Sequence, residues 1–138
     1  FAAAARIGAI VAGANKEQER LLYLFGKNLG LAFQITDDIL NITSDEEIMG
    51  KPTTSDIKGG NLTLPYILLF KGGKLSELSR LEPHRSRETM EESKVLDKVR
   101  KKGENYIARA KGYLAPFPPS PAKEAVLQLS DFVLLRRK

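Results

Sequence analysis

Apolar residues recur at helical spacing through most of the chain, and polar or Gly/Pro-rich breaks divide it into segments. The opening stretch from Phe1 to Ala14 is apolar and helix-like, interrupted by Arg6 and without the basic leader of a signal peptide. It is expected to be the second half of a core helix. Asn15, with Gln18 three residues on, forms a capping box, and Glu17 and Glu19 suit the positive end of the helix that follows. The pattern predicts that this helix runs from Lys16 to Thr43, about 28 residues and ~40 Å at the usual rise. Gly26 and Gly30, one turn apart, leave room for another helix or for a bound substrate. Residues 44–49 read as a short acidic turn. A short helix is expected over 65–70, capped by Asn61 or Thr63, then another turn or two over 75–81. The spacing predicts a charged, amphipathic helix over 87–114, with Leu96, Val99, Gly103, Tyr106, Ile107, Ala110, Tyr113 and Leu114 in its apolar stripe. Ser120 and Pro121 open a last helix whose core face is expected to be Ala125, Val126, Leu129, Phe132 and Val133. The fold class is therefore all-α.

The long second helix carries the candidate chemistry. At about 100° per residue, Lys27, Gly30, Gln34, Asp37, Asp38 and Asn41 fall within a stripe roughly 80–100° wide. The rest of its second half (Leu29, Leu31, Ala32, Phe33, Ile35, Ile39, Leu40) is apolar and is expected to be packed on most sides. Burying two adjacent carboxylates without partners costs several kcal/mol each, so the stripe faces a wet cavity or buried partners. Hard divalent cations use one or two carboxylates together with waters and substrate phosphates, and Asp37 and Asn41 point the same way. The bland reading is a pair that caps or meets lysines of another helix.

The company this pair keeps decides between the two. Gly26-Lys27-Asn28-Leu29-Gly30-Leu31-Ala32-Phe33-Gln34-Ile35-Thr36-Asp37-Asp38-Ile39-Leu40-Asn41, then Gly50-Lys51-Pro52 and Ser55-Asp56-Ile57-Lys58-Gly59-Gly60-Asn61-Leu62-Thr63-Leu64-Pro65, resembles the second aspartate-rich region of the trans-isoprenyl (polyprenyl) diphosphate synthases, in particular the long-chain branch that makes quinone side chains. The resemblance implies a partial isoprenoid-synthase-type helical bundle. On it, residues 1–138 are the C-terminal portion of a single synthase domain, with the first aspartate-rich motif lying upstream of Phe1. It implies a prenyltransferase that extends an allylic diphosphate with isopentenyl diphosphate, assisted by Mg2+. Asp37 would hold metal, Asp38 and Gln34 would orient its surroundings, and Lys51, with Lys58, would neutralise the diphosphate. Asn41 departs from the family's usual third aspartate and brings no negative charge. A homo- or heterodimer is implied, cytoplasmic or alternatively mitochondrial. The alternative is a non-catalytic subunit that binds a catalytic partner.

Composition adds limits. With 138 residues, 42% hydrophobic and no cysteine, the chain has material for one domain and excludes a disulfide scaffold or thiolate metal site. No apolar run approaches the ~18–20 residues of a membrane-spanning helix. The net charge of +5 suits phosphorylated substrates. The basic residues are not interleaved with aromatics as nucleic-acid binding would require. His84, without a second histidine or a carboxylate cluster, reads as loop surface.

Overall fold

The computed structural model describes residues 1–43, 62–70, 89, 90 and 92–136. The expected turns over 44–49 and 75–81, the Lys51 and Lys58 loop, Asn61 and His84 lie outside the described residues. Among the described residues the structure is helical: α1 (Ala2–Val11), α2 (Lys16–Thr43), α3 (Leu64–Leu69), α4 (Val95–Leu114) and α5 (Pro121–Leu135). They fall into two compact units, one of Phe1–Thr36 and Lys102–Arg136, the other taking in Asp37–Lys101.

In the first unit, α1 ends where Gly13 takes a positive φ of 71°, a conformation glycine adopts without steric cost. The N–H of Ala14 then bonds back to Ala9 O. The capping box of α2 forms as the sequence predicts. Gln18 N–H donates to Asn15 Oδ1 at 2.9 Å and Asn15 N–H to Gln18 Oε1 at 3.1 Å. Glu19, 5% exposed, is bridged by Arg6 Nε at 2.7 Å and Lys16 Nζ at 2.9 Å, tying α1 to α2. These hydrogen bonds, Lys16's first and then Arg6's, hold the Glu19 carboxyl below its ordinary value against the cost of burial.

Gly26 settles its own question. A Cβ there would lie 2.7 Å from Phe1 O and 2.9 Å from Ala5 Cβ, and at Gly30 it would meet the Phe1 side chain at 3.1 Å. Both glycines serve the close approach of α1 to α2. Behind them, Phe25, Leu29 and Ala32 of α2 pack with Ile107, Ala110 and Leu114 of α4 and Val133 of α5. The α4 stripe is buried as expected at Gly103, Ile107, Ala110 and Leu114, with Tyr106 and Tyr113 half-buried.

The face of α5 differs from expectation. Val133 is buried and Val126 half-buried, but Leu129 and Phe132 are 52% and 59% exposed, while Ser130 is fully buried. The helix is apolar on two sides, and Ser130 enters the core because its hydroxyl donates to Val126 O at 2.8 Å, leaving no unmet polar group. Leu31 of α2, expected among packed residues, is 40% exposed. Ser120 caps α5 as predicted, its Oγ accepting from the Lys123 N–H.

In the second unit, Ile42 at the end of α2 packs with Tyr66 of α3 and with Met90 and Leu96, flanked by Leu62, Leu69 and Phe70. The short helix starts one residue earlier than expected. Thr63 occupies its cap position, but its side chain makes no cap hydrogen bond. The helix expected over 87–114 is interrupted: Thr89, Met90 and Glu92 are helical, Lys94 sits in the left-handed region at φ 54° and breaks the path, and α4 runs on from Val95.

Candidate functional site

The polar stripe of α2 is real and graded. Lys27 and Gln34 are exposed, Gly30 half-buried, Asp37 and Asn41 half-buried, and Asp38 is buried at 8% exposure. The helix is continuous from Lys16 to Thr43, so Asp37 and Asn41 stand one turn apart, about 5–6 Å along the axis. Continuity matters here because both side chains then project from one rigid rod. Gln34, Asp37 and Asp38 are each engaged by a neighbour. Thr36 and Ile39 flank them as buried residues, and Thr43 anchors the end of the helix through its hydroxyl on Ile39 O at 3.0 Å.

Two carboxylates on consecutive residues, with an amide one turn later, give a negatively charged edge that is partly open. Among the described residues no group of three or more acidic, histidine or cysteine side chains comes together. The pair therefore fits a hard cation of the kind that takes one or two protein carboxylates and completes its shell with water and phosphate oxygen. It does not fit a closed structural metal site, which needs four protein ligands. Lys51 and Lys58, expected to face the diphosphate, lie outside the described residues.

One neighbour of this stripe was not assigned a role from sequence. Arg136, just past α5, places its guanidinium 4.2 Å from the centre of the Phe33 ring, and Phe33 in turn meets Phe1 with ring centres 5.1 Å apart. Phe33 directly precedes Gln34, so a cation from the far end of the chain fixes the ring beside the stripe. Nothing in the local pattern links residues 33 and 136, which is why periodicity could not find the pair.

Among the described residues the chain is thus all-helical, with a pair of adjacent carboxylates on its longest helix. The family model described as polyprenyl synthetase matches residues 1–102, and the chain belongs to that family. It is 39% identical over 145 residues to a prenyl transferase of Cyanophora paradoxa, covering 99% of this chain and 44% of that protein. It is 36% identical to a geranylgeranyl diphosphate synthase of Methanosarcina mazei, covering 99% of this chain and 44% of the relative. Among solved structures, a polyprenyl synthase from Caulobacter crescentus complexed with calcium and isoprenyl diphosphate superposes with a TM-score of 0.86 at 35% identity, over 100% of this chain and 46% of that one. The chain thus spans less than half the length of the relatives it matches. No described helix is long and apolar enough to cross a membrane.

Proposed function

We propose that this chain carries the second aspartate-rich edge of a trans-prenyl diphosphate synthase that elongates an allylic diphosphate with isopentenyl diphosphate, on the long-chain branch that supplies quinone side chains. The observation that carries the reading is the Asp37–Asp38 pair, half-buried and buried on one unbroken helix, inside a chain of the polyprenyl synthetase family. In the reaction the allylic carbon–oxygen bond breaks, the double bond of isopentenyl diphosphate attacks the carbon so exposed, and a proton leaves the new chain. Bound Mg2+ would supply electrostatic stabilisation of the departing diphosphate. Asp37 would hold the cation, while Asp38 and Gln34 would orient its surroundings by hydrogen bonds. Lys51, with Lys58, offsets the phosphate charge. The calcium and isoprenyl diphosphate complexed in the Caulobacter crescentus neighbour support a cation and a diphosphate as the ligand pair.

Asn41 distinguishes this site. Its amide could accept from a water of a bound cation but carries no charge, so Asn41→Asp is expected to lower the Mg2+ concentration needed for half-maximal activity several-fold. An unchanged Mg2+ requirement in that variant refutes the role given to position 41. The direct test is incorporation of labelled isopentenyl diphosphate into a lipid-extractable product, with Asp37→Ala reducing it at least a hundredfold.

A second reading is favoured by Asn41: a non-catalytic subunit that binds a catalytic partner chain. Incorporation that appears only when a partner chain is added, and that survives Asp37→Ala, identifies this case.

A further inference from the structure

Four side chains on the outer face of α4, Lys102, Asn105, Tyr106 and Arg109, line a small cleft of about 150 Å3 in the first unit. At about 100° per residue they share a sector roughly 100° wide. The buried stripe of Gly103, Ile107, Ala110 and Leu114, which packs against α2 and α5, is centred about 120° away around the helix. The cleft therefore opens on the side of α4 turned away from α2. Lys102, Asn105 and Arg109 are exposed and Tyr106 is half-buried.

The charge of this face is not compensated. Among the described residues no carboxylate bridges Lys102 or Arg109, whereas Arg100 meets Asp97 and Lys111 meets Asp131 on other sides of the same helix. Glu104, next to Asn105 in sequence, lies at least about 100° around the axis from each of the four. The Arg109 guanidinium sits 5.9 Å from the centre of the Tyr106 ring, a contact that orients it without neutralising it. Lys102 and Arg109 are seven residues apart, about 10 Å along the axis, so two cations flank an amide and a phenol.

This chemistry selects the occupant. A cleft smaller than the roughly 300–1,000 Å3 of sites that enclose whole small molecules takes one group of a ligand. A metal ion would meet two positive charges, and a hydrocarbon would strip water from both cations and give them no partner. The carboxylate of an acidic peptide is satisfied by the arginine fork alone and leaves Lys102 unused. A phosphate monoester brings close to two negative charges and three acceptor oxygens. That is enough for the fork of Arg109, the ammonium of Lys102 and a further donor from Asn105 or Tyr106.

We propose that this face of α4 is a phosphate site, in which Lys102 and Arg109 bind the phosphate group of a monoester, free in solution or carried as a lipid headgroup. The site uses no residue of the α2 stripe and does not depend on the elongation reading.

The test titrates the full 138-residue chain, isotope-labelled, with inorganic phosphate at constant ionic strength, following the backbone amides by NMR, with acetate as the monoanionic control. Saturable shifts centred on residues 102–109 are expected, with acetate several-fold weaker. Lys102→Gln combined with Arg109→Gln is expected to weaken phosphate binding at least tenfold. Arg100→Gln combined with Lys111→Gln removes the same two charges elsewhere on α4 and should change it less than twofold; far-UV circular dichroism confirms that both variants fold. Arg109→Lys keeps the charge, loses the fork and should bind several-fold more weakly. Co-sedimentation with phosphatidylcholine vesicles, with and without phosphatidic acid, separates the sources. Vesicle binding that needs phosphatidic acid and is lost in the Lys102 and Arg109 variant assigns a lipid headgroup, and shifts with inorganic phosphate alone assign a soluble ester. Equal weakening by the two double variants, acetate binding as well as phosphate, or no binding of either phosphate probe overturns the proposal.

Discussion

Gly26→Ala puts the seating of α1 on α2 to the test. The added methyl would stand 2.7 Å from the Phe1 carbonyl oxygen, 2.9 Å from Ala5 Cβ and 3.0 Å from Ala2 Cα. Two of these are backbone atoms and the third is fixed to the backbone, so no rotamer change makes room. Helix α1 has to withdraw by several tenths of an ångström, loosening the Phe1 contacts at Gly30 and stretching the bridge from Arg6 to Glu19. Overpacking of this kind costs about 1–3 kcal/mol. Replacing a helix-interior glycine by alanine returns about 1 kcal/mol. The net expectation is a loss of up to about 2 kcal/mol, centred near 1, or a thermal midpoint lowered by up to roughly 10 °C for a chain of this size. Gly112→Ala is the internal control: it lies within α4 with nothing inside 4 Å of the new methyl. It keeps the propensity gain alone, about 0.5–1 kcal/mol of added stability. Thermal and urea unfolding followed by far-UV circular dichroism read both variants. If Gly26→Ala is as stable as the parent, or moves in the same direction as Gly112→Ala, the close packing of α1 on α2 is not what position 26 is for.

Lys94→Gly removes the left-handed strain at φ 54° and should raise stability by about 0.5–1 kcal/mol after the entropic cost of glycine, measured as a higher urea midpoint with an unchanged slope. The Glu19 carboxyl, held below its ordinary value of 4.5 by Lys16 and Arg6, contributes stability that is present above that value and lost as pH falls through the lowered folded value. Acidification below pH ~4.5 should therefore lower the thermal midpoint of the parent more than that of Glu19→Gln; parallel curves for the two proteins would rule the linkage out.

What could be read from sequence was whatever depends on neighbours in the chain. The Asn15–Gln18 box, the Ser120 cap and the unbroken run of α2 are local, and each forms as its residues predict. The carboxylate stripe was legible for the same reason, since one helix carries all of it. The start of α4 was not, because a lysine with positive φ leaves no compositional trace where a glycine or asparagine would. The core face of α5 was misassigned because Leu129 and Phe132 on one side are as apolar as Val126 and Val133 on the other, and only the packing against α2 and α4 chooses between them. Arg136 over Phe33 joins residues a hundred positions apart, beyond any local pattern.

The helices α1 and α5 also leave apolar side chains uncovered. Ala9 is the one buried residue of α1, whose Ile7, Ile10 and Val11 are 60%, 54% and 82% exposed, and α5 presents Leu129, Phe132 and Leu135 outward. In the Caulobacter crescentus neighbour more than half the chain lies outside the matched region. Charge follows the same logic as packing. Asp37 and Asp38 bring two carboxylates to a partly buried edge where no third joins them among the described residues. Amide exchange reads the difference in burial between α1 and α2 directly: the amides of α1 should exchange faster than those of α2 between Phe25 and Ala32, and equal protection of the two stretches would refute it.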